Sequence, residues 1–412
     1  MKKLFLSIVL LLPTLFCHGI YIPELGGELV EIAGIYYVIG NEYASIPELP
    51  DDIKMLADYE GDITIQDSVL YDGVSYPVTY IWPNAFNGFS NLRSVEIANT
   101  IKSIGNNAFS HCKKLVHVAI PDGITTIEKG MFFRSGIKSV DIPKSVTTIE
   151  DLAFAYCDSI VTIQFPDNIT EMGVGIFEYC NNLTTVILPA HLKTIRSEAF
   201  DGCTNLSTVV LPEELSAIHS YSFRGCSSLT SIEWPESLET ISDHAFQFTG
   251  LSSIHLPDRV NDISGYAFSN CSSLMTAILG HGLCWMGPDV FDNCNELTDL
   301  YCYAETPPQL DWSYDGARYQ IFSSDFQEKV TLHVPASAID LYKTDRMWKD
   351  FATIIPINDT PDSISEIDTD LTTTSRLLDS MNCYDLLGRR MSGNPTKGIY
   401  IQNGKKKSNV LY

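Results

Sequence analysis

The sequence lacks the motifs that mark the common classes of enzyme and metalloprotein. Its nine histidines show no H-E-x-x-H or other zinc-ligand spacing, and it contains no C-x-x-C, no Walker lysine motif and no G-x-S-x-G nucleophile elbow. Calcium-binding nonapeptide repeats are also missing. We therefore expect no catalytic residue, no metal ligand and no cofactor site in this chain.

Basic residues are scarce. The chain has 27 lysines and arginines against 51 aspartates and glutamates, which gives a formal net charge of -24. A chain of this charge repels phosphate backbones, so we expect no nucleic-acid partner. Residues 383–412 differ from the rest because they contain six basic residues and one acid, Asp385. This reversal of charge predicts a separate module at the carboxy terminus.

Long apolar runs are absent after the first 19 residues. No stretch there approaches the roughly 18 apolar residues of a membrane-spanning helix, so we predict no transmembrane segment. Residues 1–19 instead combine two lysines, an apolar run and small residues at the end, which are the three parts of a secretory signal peptide. We expect cleavage after Gly19 and a secreted or cell-surface protein. Lipidation of Cys17 is the alternative, and the bulky Phe16 before it argues against that.

What the chain does have is a repeat. Ten phenylalanines follow one another at spacings of 22 or 23 residues: Phe86, Phe109, Phe132, Phe154, Phe177, Phe200, Phe223, Phe246, Phe268 and Phe291. Seven cysteines keep the same period: Cys112, Cys157, Cys180, Cys203, Cys226, Cys271 and Cys294. A cysteine at a fixed repeat position behaves as a small buried apolar residue, so we expect core positions and free thiols in spite of export.

A period this short predicts a solenoid, because one coil cannot bury its own apolar face and must stack on its neighbours. Within each repeat a segment such as Leu206-x-x-Val209-x-Leu211 alternates like a short strand, and Pro212 ends it because proline cannot donate a ladder hydrogen bond. Stacking these strands produces one parallel sheet.

The unit A-F-x-x-C-x-x-L-x-x-[IV]-x-[IL]-P, seen in full from Ala199 to Pro212, resembles the BspA-like leucine-rich repeats of bacterial surface proteins. The resemblance covers residues 80–302. It implies an α/β-type repeat solenoid, a β-rich right-handed stack of coils with one parallel sheet and a cap at each end. Residues 59–81 resemble the amino-terminal lead-in of that family, and residues 304–351 resemble its carboxy-terminal cap. Residues 383–412 resemble the carboxy-terminal sorting domain of type IX secretion.

These patterns divide the chain into six predicted segments. They are a signal peptide (1–19), an amino-terminal cap (20–80), a leucine-rich repeat array of about ten units (81–302), a carboxy-terminal cap (303–357), a linker (358–382) and the sorting-domain-like tail (383–412).

The predicted sheet presents two columns of outward side chains, since alternate residues of a strand point to opposite faces. One column is nearly all hydroxyl: Ser94, His117, Ser139, Thr162, Thr185, Thr208, Ser231, Ser253, Thr276 and Asp299. The other is mixed: Glu96, Ala119, Asp141, Gln164, Ile187, Val210, Glu233, His255, Ile278 and Tyr301. The mixed column from Gln164 onward is the candidate binding surface, because Ile187 and Val210 form an apolar spot with polar neighbours. β-Branched residues also suit strands by propensity alone, which is the alternative interpretation.

Two functional hypotheses follow. The favoured one is an exported, non-catalytic recognition protein that binds a protein, extracellular-matrix or host-surface partner through the solenoid, as the resemblance to adhesins and host-interaction proteins implies. The alternative is a glycan-binding surface protein, which would need aromatic residues in the exposed columns, where Tyr301 stands alone. An enzyme would need a catalytic domain, and no segment of the chain is left over for one.

Overall fold

The computed structural model describes residues 20–22, 26–55, 57, 59–310 and 322–357, and four short pieces of the tail at 383–384, 390–391, 398–402 and 405–409. The predicted signal peptide and linker lie outside the described residues. The chain divides into two compact units, residues 1–159 and 160–412. In both, the backbone winds as a parallel β-solenoid with little helix, about 12 turns in all, which confirms the predicted fold class.

The first unit opens with antiparallel strands and continues as coils. Its strands are β1 (Ile20–Ile22), β2 (Gly27–Ile32), β3 (Ile35–Ile39), β4 (Ala44–Ile46), β5 (Gly61–Ile65), β6 (Ser68–Tyr71), β7 (Val74–Ile81), β8 (Leu92–Ile97), β9 (Ser103–Ile104), β10 (His117–Ala119), β11 (Thr126–Ile127), β12 (Ser139–Asp141) and β13 (Thr148–Ile149), with one helix at Asp51–Lys54. One sheet has the order β1-β2-β3-β4-β7-β6, with β9 paired to β7, and a second has the order β12-β10-β8-β5.

The second unit consists of coils followed by two short helices. Its strands are β14 (Thr162–Gln164), β15 (Glu171–Met172), β16 (Thr185–Ile187), β17 (Thr194–Ile195), β18 (Thr208–Val210), β19 (Ala217–Ile218), β20 (Thr240–Ile241), β21 (Ser253–His255), β22 (Asp262–Ile263), β23 (Thr276–Leu279), β24 (Trp285–Met286), β25 (Asp299–Cys302), β26 (Gln309–Leu310), β27 (Thr331–Pro335) and β28 (Thr353–Ile357), and its helices are Ser324–Lys329 and Ile339–Thr344. The tail adds β29 (Cys383–Tyr384), β30 (Arg390–Met391), β31 (Gly398–Gln402) and β32 (Lys405–Asn409).

Most coils contribute two strands, so the solenoid has two rows of parallel strands. In the second unit the predicted strands form the sheets β14-β16-β18 and β21-β23-β25-β27-β28. The two-residue strands from β17 onward form a further sheet, β17-β19-β20-β22-β24-β26. This second row was not anticipated, and its residues are the Thr-Ile type pairs that precede each Phe unit, such as Thr194 and Ile195.

Stacked phenylalanines form the core of each unit. The ten repeat phenylalanines are at most 1% exposed. Consecutive rings lie nearly parallel, with centroids 5.2 Å apart for Phe200 and Phe223 and 5.1 Å apart for Phe223 and Phe246. Burial of one such side chain contributes roughly 1.5–3 kcal/mol, and ring stacking adds about 0.5–1.5 kcal/mol.

The repeat cysteines lie beside this stack. The nine cysteines from Cys112 to Cys302 are free thiols, and all of them except Cys284 are buried. In the two shorter repeats a serine or threonine followed by glycine replaces the cysteine. A Cβ on Gly136 would lie 2.0 Å from the carbonyl oxygen of Lys113, and one on Gly250 would lie 2.3 Å from that of Ser227. Only glycine permits this close approach of adjacent coils.

Every coil passes through two left-handed residues, two positions before and two positions after its core phenylalanine. Those before have φ between 53° and 62°: Asn84, Asn107, Gly130, Leu152, Gly175, Glu198, Tyr221, His244, Tyr266 and Asp289. Those after have φ between 54° and 82°: Gly88, His111, Arg134, Tyr156, Tyr179, Gly202, Gly225, Phe248, Asn270 and Asn293. Glycine and asparagine adopt this conformation easily, whereas bulky residues rarely do.

The segments predicted to be caps contain regular structure, and their capping role stays a prediction. In residues 322–357 the side chains of Tyr342 and Trp348 are fully buried. The Tyr342 hydroxyl donates a hydrogen bond to the Ala304 carbonyl at 2.9 Å, and the indole N–H of Trp348 donates to the Pro308 carbonyl at 3.1 Å. Among the helices of the described residues, none has the length and apolar character needed to cross a membrane.

Candidate functional site

The outward-facing mixed column is the binding surface that we predicted from the sequence. In the second unit, strand pairing brings Gln164, Ile187 and Val210 into register as direct neighbours on β14, β16 and β18. The two apolar members are half-buried between their neighbours, while Gln164 is exposed. This sheet therefore places a small apolar spot beside a polar residue, as its sequence suggested.

The predicted column is interrupted at Glu233. Residues 230–235 have no strand, so Glu233, although exposed, is outside both sheets of the first row. This is the coil that carries Trp234 where its neighbours carry leucine, and the indole packs edge-on against Phe246 at 5.1 Å. An indole is larger than the leucine at this position in the neighbouring coils. The coil that contains it lacks the strand at residues 230–235.

The mixed column resumes after this interruption, and it is longer than predicted. Register pairs His255 with Ile278 and Ile278 with Tyr301, as the predicted column requires. It then continues through His333 on β27 to Ile355 on β28. His333 and Ile355 were missed because they lie in the predicted cap. The run Val330-Thr-Leu-His-Val-Pro335 repeats the strand pattern of the array and could have revealed them.

We define the sheet patch as Ile278, Tyr301, His333 and Ile355. The Tyr301 and His333 rings stack at 4.0 Å with an interplanar angle of 13°. Nε2 of His333 lies 2.8 Å from Oδ1 of Asp299, which anchors the imidazole. Burial raises the pKa of Tyr301, and Asp299 adds to the effect, so the phenol stays neutral at physiological pH. Ile355 is 39% exposed at the end of the row.

The corresponding face of the first unit has a different character. Its mixed column contains Glu96, Ala119 and Asp141. On this face Arg93 forms a two-point ion pair with Asp62, and the Ser94 hydroxyl also donates to Asp62 at 2.6 Å. These hydrogen bonds lower the pKa of Asp62 to about 2, and the bond from Arg93 has the larger effect. The face is polar and carries the ion pair of Arg93 with Asp62, so the rows of large apolar side chains lie in the second unit.

One solved structure supports the fold, and two others are similar to parts of the chain. A leucine-rich repeat protein from Bacteroides ovatus ATCC 8483 is 24% identical and has a TM-score of 0.61, and the match covers 79% of this chain and 88% of that one. Pneumococcal vaccine antigen PcpA is 16% identical over 81% of this chain and 99% of that one, with a TM-score of 0.48. A leucine rich cell surface protein from Faecalibacterium prausnitzii A2-165 is 21% identical over 71% and 97%, with a TM-score of 0.35. No curated protein matches the chain.

The sequence also matches a family profile directly. The profile of the BspA type leucine rich repeat region matches in six copies, over residues 79–207 and 193–306. These matches span more than half of the chain, and they coincide with the coils that carry the phenylalanine and cysteine ladders. The chain therefore belongs to the BspA-type leucine-rich repeat family.

Proposed function

We propose that this chain is an exported, non-catalytic recognition protein that binds a protein partner, of the extracellular matrix or a host surface, through the outer sheet face of its second unit. The observation that carries the proposal is the sheet patch, in which Ile278, Tyr301, His333 and Ile355 occupy one row on four adjacent parallel strands. Family membership supports a binding role, and BspA-type proteins are typically cell-surface proteins.

The chemistry of the patch suits a protein partner. Tyrosine is enriched among the residues that dominate binding energy, and such residues lie at the centre of an interface within a polar rim. Tyr301 holds the central position, stacked on His333, and its ring is already fixed before a partner arrives. The hydroxyl and carboxylate column on the same strands, Thr276, Asp299, Thr331 and Thr353, supplies the rim. Few side chains would have to be immobilised on binding.

Charge predicts the kind of partner. Residues 322–357, which hold His333 and Ile355, have four basic residues against five acids, whereas residues 197–310 have fifteen acids against two basic residues, Arg224 and Arg259. Both are ion-paired, Arg224 with Asp201 at 2.5 Å and Arg259 with Glu239 at 2.6 Å. The remaining field around the patch is acidic, so a partner with a basic binding surface is steered toward it.

The proposal is tested by using the full chain as bait against surface and matrix proteins at low and at high salt, with captured proteins identified by mass spectrometry. We expect a saturable partner with a basic surface whose association rate falls as salt rises. A chain carrying Ile278→Lys and Ile355→Lys should capture less of that partner. A chain carrying Met55→Lys, a change of an 80% exposed apolar residue outside this face, should capture as much as the wild type. Equal capture by all three chains contradicts the proposal.

A further inference from the structure

A second surface of the second unit concentrates aromatic side chains at left-handed turn positions. Tyr221, His244 and Tyr266 occupy the position two before the core phenylalanine in three consecutive coils. Tyr179 and Phe248 occupy the position two after it in their own coils. Asparagine or glycine fills these positions in many other coils at no steric cost, so the aromatic residues are held in a conformation that their side chains disfavour. Because Phe248 is 52% exposed and Tyr179 is 38% exposed, core packing does not account for them.

Two glycines separate these exposed aromatics and open a slot between them. Gly202 and Gly225 stand at the same turn position in the two intervening coils. The Tyr179 ring lies against Gly202, where a Cβ would come 2.5 Å from its Cδ1 atom. A Cβ on Gly225 would meet only the backbone of Gly202, at 3.6 Å, and larger residues adopt positive φ at this position in other coils. Neither backbone conformation nor crowding therefore requires glycine at 225, and its effect is to leave the slot open.

The spacing of the coils sets the backbone span of the slot. The core phenylalanines of the coils that carry Gly202, Gly225 and Phe248 stack at 5.2 and 5.1 Å. Two coils therefore separate the backbones at Gly202 and Phe248 by about 10 Å, and the Tyr179 ring lies against Gly202 at one end of this span. A flat or chair-shaped ring that contacts an aromatic wall on each side needs about 7–8 Å, from two contacts of roughly 3.5–4 Å.

A charged pair borders the slot and supplies hydrogen-bonding groups. Arg224, which precedes Gly225, donates from Nε to Oδ1 of Asp201 at 2.8 Å and from Nη2 to Oδ2 at 2.5 Å. Asp201, which precedes Gly202, is 3% exposed, whereas Arg224 is partly exposed. The ion pair uses two of the five N–H donors of the Arg224 guanidinium, so Arg224 has further donors for a ligand. The guanidinium also lies 4.6 Å from the Tyr221 ring centroid.

The neighbouring aromatics form a stack beside Asp243. His244 is stacked between Tyr221 and Tyr266, with ring centroids 4.7 and 4.8 Å away. Burial, more than any nearby charge, lowers the pKa of His244, so the imidazole is neutral at physiological pH. With Arg224 paired to Asp201, the slot combines aromatic walls with hydrogen-bonding groups whose charges balance each other.

We propose that the slot between Tyr179 and Phe248, floored by Gly202 and Gly225 and bordered by Arg224, binds one pyranose ring of a neutral oligosaccharide. The apolar C–H faces of a pyranose pack against aromatic rings, and its ring hydroxyls exchange hydrogen bonds with guanidinium and carboxylate groups. A cationic ligand would meet Arg224, and an anionic one would compete with Asp201 for it. In the two predicted columns of the outer sheet face Tyr301 is the one aromatic ring of this kind, whereas the turn edge has several. The proposal is independent of the protein partner of the sheet patch.

Three substitutions test the slot with little risk to folding. Asparagine occupies the position of Phe248 in the next two coils, so Phe248→Asn removes a wall and relieves the backbone conformation. Tyr179→Asn removes the other wall, and Gly225→Asn fills the slot. Met275→Asn removes another exposed apolar side chain of the same unit, 54% exposed and outside the slot, and serves as the matched control.

The full chain is screened on an array of neutral oligosaccharides of glucose, mannose, galactose, xylose and N-acetylglucosamine, and soluble forms of the bound sugars are titrated by calorimetry. We expect saturable binding that each of the three slot variants weakens at least tenfold, with unchanged affinity in Met275→Asn and a melting temperature of Phe248→Asn no lower than that of the wild type. The proposal is overturned if no neutral oligosaccharide binds, if the slot variants bind like the wild type, or if they impair capture of a protein partner and leave sugar binding intact.

Discussion

The thiol of Cys203 donates a hydrogen bond to the backbone carbonyl oxygen of Phe177 in the preceding coil, with Sγ 3.0 Å from the oxygen. Cys226 donates in the same way to Phe200 at 3.2 Å. Each carbonyl also accepts a backbone N–H from the cysteine of its own coil, at 3.0 Å for Phe177. The cysteine ladder therefore fills core volume and links successive coils through the second lone pair of each carbonyl.

This link predicts an order among substitutions at Cys226. Cys226→Ala should lower the free energy of unfolding by about 1–2 kcal/mol, because it removes both the hydrogen bond and buried volume. Cys226→Ser should cost less, because the hydroxyl can donate to the same carbonyl oxygen. Urea unfolding of the two variants measures the difference. A serine variant less stable than the alanine variant would mean that the cysteine acts only as an apolar filler.

The buried thiols should be unreactive in the folded protein. Burial raises the pKa of Cys112 and of Cys157 to about 12, and that of Cys271 to about 11. Since the thiolate is the nucleophile, a pKa of about 12 lowers its population at pH 8 by roughly a thousandfold relative to an ordinary thiol.

Native labelling with iodoacetamide from pH 7 to 10, read by mass spectrometry, should modify the exposed Cys284 and leave the buried ladder unmodified. Cys284→Ser should remove one rapidly labelled site, and unfolding in denaturant should release the ladder cysteines. Rapid labelling of Cys157 in the folded chain, or disulfides among the ladder cysteines under non-reducing conditions, would contradict the burial described above.

The left-handed turns predict a stabilising substitution. Glu198 has φ 61° at a position where asparagine stands in two other coils, so Glu198→Asn should raise the free energy of unfolding by up to about 1 kcal/mol. Glu213→Asn removes the same charge from an exposed turn residue that does not have positive φ, and it should change stability by less than about 0.5 kcal/mol. Thermal unfolding of both variants makes the comparison. Equal shifts would show that the effect comes from charge and not from backbone conformation.

Stacking also predicts how damage spreads. Phe200→Ala should cost roughly 3–5 kcal/mol, because it opens a cavity between the rings of Phe177 and Phe223, which lie 5.6 and 5.2 Å away. Since a coil contacts only adjacent coils, hydrogen exchange should accelerate most in residues 176–246 and less in residues 322–357. Uniform acceleration along the whole second unit would indicate one cooperative globule.

The sequence predicted the coil because Phe repeats in ten units and Cys in seven of them, and the same period located Gln164, Ile187 and Val210 on one face. Two-residue strands such as Thr194–Ile195 are too short to produce a periodic signal, so the second row was not visible. The strand is missing at Glu233, in the coil where Trp234 replaces leucine. A repeat pattern describes what the units share, so it does not predict the effect of one different residue. The aromatic turn residues were missed because a positive φ is a property of the folded backbone.

The central claim is that the outer sheet face of the second unit is the recognition surface, and the dissociation constant of the captured partner tests it most directly. It should be measured for the wild type, for Ile187→Lys with Val210→Lys, and for Ile278→Lys with Ile355→Lys, each with its folding checked by circular dichroism. Lysine keeps its stem on the sheet while its charge reaches water, so folding should be nearly unchanged. At about 1 kcal/mol or more per buried anchor, each pair should weaken binding by roughly thirtyfold or more. Wild-type affinity in both correctly folded double variants would contradict the account.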